Sequence, residues 1–136
     1  GLPQTNKPFA PILRNNLSFP LDPLEWYNLI RESVGYIGEL MHPVLVSLHN
    51  SVPVYVFDKY GFKKNGKFDK CLSKTYQLMS RFGLVSNYYN SLSHSSFPKP
   101  LTVYESIISF DSEQCSSFAK TRLDEYKEMM TNIFSL

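Results

Sequence analysis

The chain has 136 residues, of which 43% are hydrophobic and 19% charged, and this predicts a single domain over residues 1–136. A formal net charge of +2 is too small to indicate nucleic-acid binding. No apolar run approaches the roughly 18 residues of a membrane span, and no signal-peptide pattern is seen. Cys71 and Cys115 have no partner at a metal-ligand spacing, so we expect reduced core thiols, no metal and a cytoplasmic location.

The first third of the chain predicts a coil followed by a capped helix. Four prolines in residues 1–20 indicate a lead-in segment around a short extended piece near residues 9–14. Asp22 is placed to cap a helix that starts at Pro23 and runs to about Ser33, with Glu25 completing a capping box.

The next segments alternate between strand and helix. Residues 35–39 form a short strand candidate, and Met41-His42-Pro43 begins a helix that ends near Asn50. Residues 52–57 are almost wholly apolar and β-branched or aromatic, as in a parallel strand buried on both faces. We therefore expect an α/β fold with a Rossmann-like parallel sheet, flanking helices, and ligands at the carboxyl ends of the strands.

The second half predicts two more helices. Residues 68–82 read as a helix that ends at Gly83 in a left-handed cap. Residues 84–89 indicate a small element and 91–100 a loop, while 101–110 fit either strand or helix. Asp111 with Gln114 predicts a capping box for a C-terminal helix over residues 111–134. One stripe of that helix is expected to face the core: Cys115, Phe118, Ala119, Arg122, Tyr126, Met129, Met130 and Ile133.

His42 is the strongest catalytic candidate, because it lies between a strand end and the helix start at Pro43. Free N–H groups at that start favour a phosphate or carboxylate, beside which a histidine can donate a proton. The alternative is a structural His42 that caps the helix or fills space beside Pro43. His49, seven residues further on, is interpreted as a structural histidine in the last helical turn.

A basic segment carries the excess positive charge of the chain. Six lysines and two aspartates lie between Asp58 and Lys74. Lys59, Lys63 and Lys64 are candidates to neutralise an anionic ligand, although exposed lysines also serve solubility. Asp58, just after the buried strand, is a candidate to orient a ligand hydroxyl, or else to form an ion pair with Lys59 or Lys63.

Three segments together resemble the polysaccharide pyruvyl transferase family: Tyr36–Pro43, Ser47–Pro53 and Phe57–Gly61. The order of elements continues this resemblance over roughly residues 22–134. Members of the family resemble two-domain GT-B enzymes, and this chain is similar to their carboxyl-terminal half. The resemblance implies transfer of the pyruvyl group of phosphoenolpyruvate to a sugar of a surface polysaccharide precursor, with formation of a ketal.

The resemblance also implies partners and roles. Phosphoenolpyruvate is the donor co-substrate, with no other cofactor, and a saccharide is the acceptor. A missing N-terminal domain of the same chain supplies the rest of the site, in the cytoplasm or at the inner face of the membrane. His42 corresponds to the family's histidine near the donor, as general acid or phosphate ligand.

One position departs from the family pattern. The family often has an arginine two residues before the histidine, where this chain has Leu40. Two other functions therefore stay open. One is a GT-B glycosyltransferase domain that uses a nucleotide sugar, and the other is a non-catalytic binding or assembly module of the same fold.

Overall fold

The computed structural model describes residues 21–94 and 96–135, so the predicted lead-in over residues 1–20 lies outside the described residues. The elements, in chain order, are α1 (Pro23–Arg31), β1 (Tyr36–Gly38), α2 (Met41–His49), β2 (Val54–Asp58), a 3-10 turn (Lys70–Leu72), α3 (Lys74–Arg81), a second 3-10 turn (Val85–Asn87), β3 (Tyr88–Asn90), α4 (Pro100–Ile108) and α5 (Ser112–Phe134).

The three strands form one parallel sheet in the order β1-β2-β3. Ile37 of β1 lies opposite Tyr55 of β2, and Phe57 of β2 lies opposite Tyr89 of β3. The central strand β2 is buried at four of its five positions, as its apolar sequence predicts. The predicted α/β architecture, a parallel sheet with flanking helices, is confirmed.

Helices cover both faces of the sheet. On one face, α2, α3 and α5 enclose a core of seven buried residues: Val44, Leu48, Val54, Val56, Met79, Leu84 and Cys115. On the other face, Val103 of α4 packs against Tyr55 and Tyr89. Burial of these apolar side chains is the main source of stability in such a layered domain.

Several local predictions are confirmed. The Asp22 side chain accepts from the N–H groups of Leu24 and Glu25, and Glu25 bonds back to the Asp22 N–H, which completes the capping box. Gly83 follows α3 with a φ of 72°, in the left-handed region that glycine adopts readily.

Two predicted elements differ in the structure. The helix expected over residues 68–82 is a 3-10 turn followed by the shorter α3, because the Ser73 side chain caps the chain midway by accepting from the Tyr76 N–H. The undecided segment 101–110 is mostly helix α4, and residues 88–90 form the edge strand β3. Both differences depend on packing against the sheet, and the local sequence does not specify that packing.

The C-terminal helix has the predicted bounds but not the predicted burial. Asp111 accepts from the Gln114 N–H, without the reciprocal bond of a capping box. Of the expected core stripe only Cys115 is buried, while Tyr126, Met129 and Ile133 are about half exposed. Cys71 is exposed, so the expectation of a core thiol is wrong for Cys71 and confirmed for Cys115.

Within residues 21–94 and 96–135, no helix combines the length and apolar character needed to cross a membrane. The same described residues contain no group of three or more His, Cys, Asp or Glu side chains placed to hold a metal ion.

Candidate functional site

The carboxyl ends of the parallel strands bring polar residues to one edge of the sheet. β2 ends at Asp58 and β3 at Asn90, and these two residues are register partners. Glu39 follows β1 at the same edge and forms an ion pair with Lys59 at 3.2 Å. Because all three strands run in the same direction, their carboxyl ends lie together and bring these residues to one edge of the sheet.

Asp58 is the centre of a buried hydrogen-bond cluster. The hydroxyls of Ser73 and Tyr88 each donate to its Oδ2 atom at 2.6 Å. Its Oδ1 atom accepts from the backbone N–H groups of Lys59 at 2.7 Å and Tyr60 at 3.0 Å. With 2% of its surface exposed, the carboxylate uses its acceptor capacity inside the protein. Asp58 therefore holds Ser73, Tyr88 and the start of the following loop in place, while its predicted role toward a ligand stays a prediction.

The ionisation of this cluster follows from its contacts. Burial alone would raise the pKa of Asp58, but the hydrogen bonds from Ser73, Tyr88 and the two N–H groups outweigh burial and hold its pKa below the usual value. Burial, and then the bond to Asp58, raise the pKa of Tyr88 to about 12. At neutral pH the pair is therefore a carboxylate and a protonated phenol, which suits a fixed structural contact.

Asn90 links the cluster to the neighbouring loops. Its Nδ2 atom donates to the Tyr60 carbonyl at 2.8 Å and to the Tyr88 hydroxyl at 3.2 Å. Its Oδ1 atom accepts from the Leu92 N–H at 3.0 Å. These bonds fix the path of the chain at Tyr60, directly after β2.

A cavity of about 330 Å³ opens beside this cluster. Seven residues from the ends of β1 and β2, the first 3-10 turn and the starts of α2 and α3 line it: Glu39, Leu40, Met41, Tyr60, Leu72, Lys74 and Thr75. Lys74 and Tyr60 contribute an ammonium and an exposed phenol, and Glu39 contributes a carboxylate engaged by Lys59. The cavity is thus a small, mostly apolar site with a few polar groups, at the sheet edge where ligands of parallel α/β proteins bind.

Two helix N-termini meet at this cavity. Leu40 is the cap residue of α2 and has no side-chain cap bond, and no described residue accepts from the N–H groups of Met41 and His42. At the start of α3, the N–H groups of Lys74 and Thr75 likewise have no acceptor among the described residues. Unpaired N–H groups and the positive end of the helix dipole favour an anion.

The structure places His42 and Pro43 next to this cavity but not in its lining. His42 is exposed in the first turn of α2, while Pro43 is buried. His42 makes no hydrogen bond to any described residue, and the alternative that it caps the helix is wrong because Leu40 holds the cap position. His49 is exposed at the other end of α2.

The three lysines predicted to neutralise an anionic ligand do not gather around the cavity. Lys59 forms an ion pair with Glu39, and Lys63 forms one with Asp69 at 3.0 Å. Lys64 is exposed in the turn that follows Lys63. The alternative of an ion pair between Asp58 and a lysine is wrong, because hydroxyl and N–H groups take that place. None of these three lysines lines the cavity.

Tyr88, Asn90 and Lys74 were not selected by sequence reasoning. Tyr88 and Asn90 lie on a strand that becomes apparent only in the sheet. Lys74 could have been predicted from the sequence. Serine is a favoured helix cap, and Ser73 therefore places Lys74 in the first turn of a helix.

The fold and the site define a class: a small α/β domain with a cavity at the carboxyl edge of a parallel sheet, where two helices begin. Comparison with known proteins does not narrow that class, since no family model, no curated protein and no solved structure matches the chain.

Proposed function

We propose that this chain is the carboxyl-terminal Rossmann-like domain of a polysaccharide pyruvyl transferase with a GT-B-like, two-domain arrangement. The full protein would transfer the pyruvyl group of phosphoenolpyruvate to a sugar of a surface polysaccharide precursor and form a ketal. One observation carries the proposal. The N-termini of α2 and α3, together with Lys74, converge on a single cavity at the carboxyl edge of the sheet.

The chemistry of the donor suits this cavity. Phosphoenolpyruvate carries a phosphate and a carboxylate close together, so it gains from two helix N-termini as well as from a cation. A volume of about 330 Å³ accommodates such a small ligand. The donor would lie against the N–H groups of Met41 and Lys74, with Lys59, Lys63 and Lys64 raising the local positive potential.

His42 is assigned the role next to the donor. Formation of the ketal bonds two sugar hydroxyl oxygens to the central carbon of phosphoenolpyruvate and breaks the bond from that carbon to the phosphate. The two hydroxyls lose their protons, and in the overall balance one proton is gained by the methylene carbon and one leaves with the phosphate. In this proposal the exposed imidazole in the first turn of α2 would either supply the proton of the methylene carbon or hold the phosphate. Asp58 serves indirectly, by holding Ser73 and thereby the start of α3.

The acceptor and the second domain complete the proposal. The cavity is open to solvent, and 61% of Tyr60 is exposed at its border. A saccharide acceptor and an N-terminal domain of the same chain would close over this border and exclude water from the transfer. The reaction would take place in the cytoplasm or at the inner face of the membrane, where such precursors are assembled.

A second candidate function is supported by Leu40. This residue is 53% exposed and lines the cavity at the position where the resembled family often has an arginine. An apolar side chain there supplies no bidentate contact to a carboxylate or phosphate, and Lys74 provides only a point charge. A binding or assembly module that kept the anion cavity without catalysis fits this observation.

The test uses the natural full-length protein with phosphoenolpyruvate and a panel of saccharide acceptors, and it measures phosphate release and ketal formation. We expect His42→Ala to reduce the rate at least tenfold, and the matched change His49→Ala, on the same helix, to leave it unchanged. Equal effects of the two changes would contradict the assignment of His42.

Binding measurements separate the rival functions. Calorimetric titration with phosphoenolpyruvate, and in parallel with a nucleotide sugar, shows which ligand the cavity accepts. Tight binding of a nucleotide sugar alone would indicate the glycosyltransferase alternative. Binding of phosphoenolpyruvate without turnover, unchanged by Leu40→Arg, would indicate the non-catalytic module.

A further inference from the structure

The proposed reaction leaves one proton transfer without a residue. Two sugar hydroxyls lose their protons as their oxygens bond to the central carbon of phosphoenolpyruvate, whereas His42 is assigned only to the donor side. A hydroxyl is a weak nucleophile, and a positioned base that takes its proton in the transition state raises the rate by about 10²–10⁴-fold. The reaction therefore needs a base that reaches the acceptor in the cavity.

Glu39 is the one carboxylate among the described residues that line the cavity. It comes directly after β1, and it shares the lining with Lys74 and Thr75 at the start of α3. Its side chain is 50% exposed, so a ligand in the cavity can reach it. The ammonium of Lys74 has no acceptor lone pair, and the hydroxyls of Tyr60 and Thr75 belong to groups that are weaker proton acceptors than a carboxylate.

The two acidic residues between β2 and α3 are occupied by contacts within the fold. Asp58 accepts four hydrogen bonds and is 2% exposed. Asp69 forms an ion pair with Lys63 at 3.0 Å, accepts from the Cys71 N–H at 3.0 Å, and does not line the cavity. These contacts leave Glu39 as the carboxylate that a ligand in the cavity meets.

The contact with Lys59 orients the Glu39 carboxylate. Lys59 Nζ donates to Glu39 Oε1 at 3.2 Å, and Glu39 Oε2 makes no hydrogen bond to any residue that the structure describes. Both side chains are about half exposed, and an ion pair at such exposure contributes little to the stability of a fold. The pair holds one carboxylate oxygen and leaves the other available to a ligand.

Apolar side chains beside Glu39 suit a sugar ring. Leu40, Tyr60 and Leu72 line the same cavity and are 53%, 61% and 52% exposed. A sugar ring has a face of C–H groups that packs on aromatic and aliphatic side chains, while its hydroxyls remain free for hydrogen bonds at the ring edge. An acceptor on this border brings its hydroxyls to the carboxylate.

We propose that Glu39 is a catalytic residue, the general base that takes the proton of the attacking saccharide hydroxyl. This inference rests on the proposed function, since it assigns a step of that reaction. In the first addition, the hydroxyl oxygen bonds to the central carbon and its proton moves to Glu39. The electron pair of the carbon–carbon double bond moves to the methylene carbon, where it bonds the proton supplied by His42.

The second addition returns both residues to their starting states. The second hydroxyl oxygen bonds to the same carbon as the bond from that carbon to the phosphate oxygen breaks, and the leaving phosphate keeps the electron pair of that bond. The proton of the second hydroxyl moves to the neutral imidazole of His42, and the proton held by Glu39 passes to the phosphate. Two hydroxyl protons are lost, one proton is gained by carbon and one by phosphate, so no further reactant is needed.

The first experiment measures ketal formation by the natural full-length protein and its Glu39→Gln variant. We expect kcat to fall by roughly 100-fold or more, with the KM for phosphoenolpyruvate changed by less than about threefold. The matched control is Glu32→Gln, which removes the carboxylate of another exposed ion pair, with Arg31, and should leave the rate unchanged. Thermal unfolding of both variants checks that the fold is intact.

Two further variants separate a base from a structural ion pair. Lys59→Gln breaks the same ion pair but keeps the carboxylate, so its loss of kcat should be about tenfold at most. Glu39→Ala leaves space for an added carboxylate, and formate should restore its rate by roughly tenfold or more. The bulkier Glu39→Gln should gain nothing from formate.

The outcomes distinguish this role from the proposed function. A wild-type protein that forms no ketal overturns the proposed function and this step with it. If the wild type forms the ketal, the role of Glu39 alone is overturned when Glu39→Gln keeps kcat within about fivefold of wild type. The same conclusion follows if Lys59→Gln loses as much as Glu39→Gln, or if formate fails to rescue a Glu39→Ala variant that still binds phosphoenolpyruvate.

Discussion

Ser73 and Asp58 are joined by a short hydrogen bond of 2.6 Å between Ser73 Oγ and Asp58 Oδ2. The same hydroxyl accepts from the Tyr76 N–H at 2.9 Å and thereby caps α3. One side chain thus connects the end of β2 to the start of a helix 15 residues later. This connection sets the position of Lys74 and Thr75 at the cavity.

Removal of the Ser73 hydroxyl should therefore lower the stability of the folded protein. Ser73→Ala deletes the helix cap and one of the two hydroxyl donors to the buried Asp58 carboxylate. We expect the free energy of unfolding to fall by about 1–3 kcal/mol, measured by urea denaturation. Ser80→Ala, at an exposed position of the same helix, is the control and should have little effect. Equal stability of both variants would show that the Ser73 bond contributes nothing net.

Tyr88 should make stability depend on alkaline pH. Its pKa of about 12 in the folded state lies above the ordinary value of about 10, so the fold favours the protonated phenol. This stabilisation is fully present below about pH 10 and is lost as the pH rises through about 12. A pKa shift of this size corresponds to about 2–3 kcal/mol.

The measurement compares wild type with Tyr88→Phe in denaturant between about pH 9 and about pH 12. The free energy of unfolding of wild type should decline more steeply over this interval, because the variant lacks the titrating hydroxyl. Parallel curves for the two proteins would mean that Tyr88 titrates alike in the folded and unfolded states.

Gly61 and Gly66 test how tightly the loop after β2 is packed. Both have positive φ, of 95° and 77°. A Cβ atom at Gly61 would lie 2.6 Å from Phe68 Cε2 and 3.0 Å from Ser73 Cβ, whereas at Gly66 it would meet nothing within 4 Å. Gly61→Ala combines backbone strain with a steric clash and should cost about 3 kcal/mol of stability.

The control, Gly66→Ala, should cost about 1 kcal/mol, since only the left-handed conformation is penalised. Thermal unfolding followed by circular dichroism distinguishes the two. If Gly61→Ala were as mild as Gly66→Ala, the loop would have room to move away from Phe68 and Ser73.

Lys74 should contribute to anion binding at the cavity. Lys74→Ala removes the lysine that lines the cavity and leaves the N–H groups of α3 in place. We expect phosphoenolpyruvate or inorganic phosphate to bind roughly tenfold more weakly, with a smaller dependence on salt concentration, as measured by calorimetry. Lys64→Ala, in the exposed turn, is the matched control. A larger effect from Lys64 would move the anion site from the cavity to the basic loop.

Local signals in the sequence determined the parts of the fold that depend on only a few neighbouring residues. Asp22 with Glu25 predicted the start of α1, and Gly83 predicted the end of α3, where its φ is positive. The apolar run before Asp58 identified the buried central strand. Caps, left-handed turns and strand hydrophobicity are decided within about four residues, so a single sequence contains them.

The site was only partly available from the sequence. The alternation of strands and helices placed Asp58 and the start of α2 at one sheet edge, because parallel strands share their direction. The partners of Asp58 were not predicted. Ser73 and Tyr88 are 15 and 30 residues away in the chain, and hydroxyls at such separations leave no pattern in the sequence.

Only the tertiary structure decided which residues meet and which stay uncovered. The segment before Lys74 becomes a 3-10 turn because Ser73 is drawn to Asp58, and residues 100–108 become helix α4 where Val103 packs on Tyr55 and Tyr89. The stripe of α5 has the period of a core helix, yet it is buried only at Cys115, where the body of the domain ends. The spacing of apolar residues indicates that a helix has an apolar face. The extent of the neighbouring layers determines how much of that face is covered.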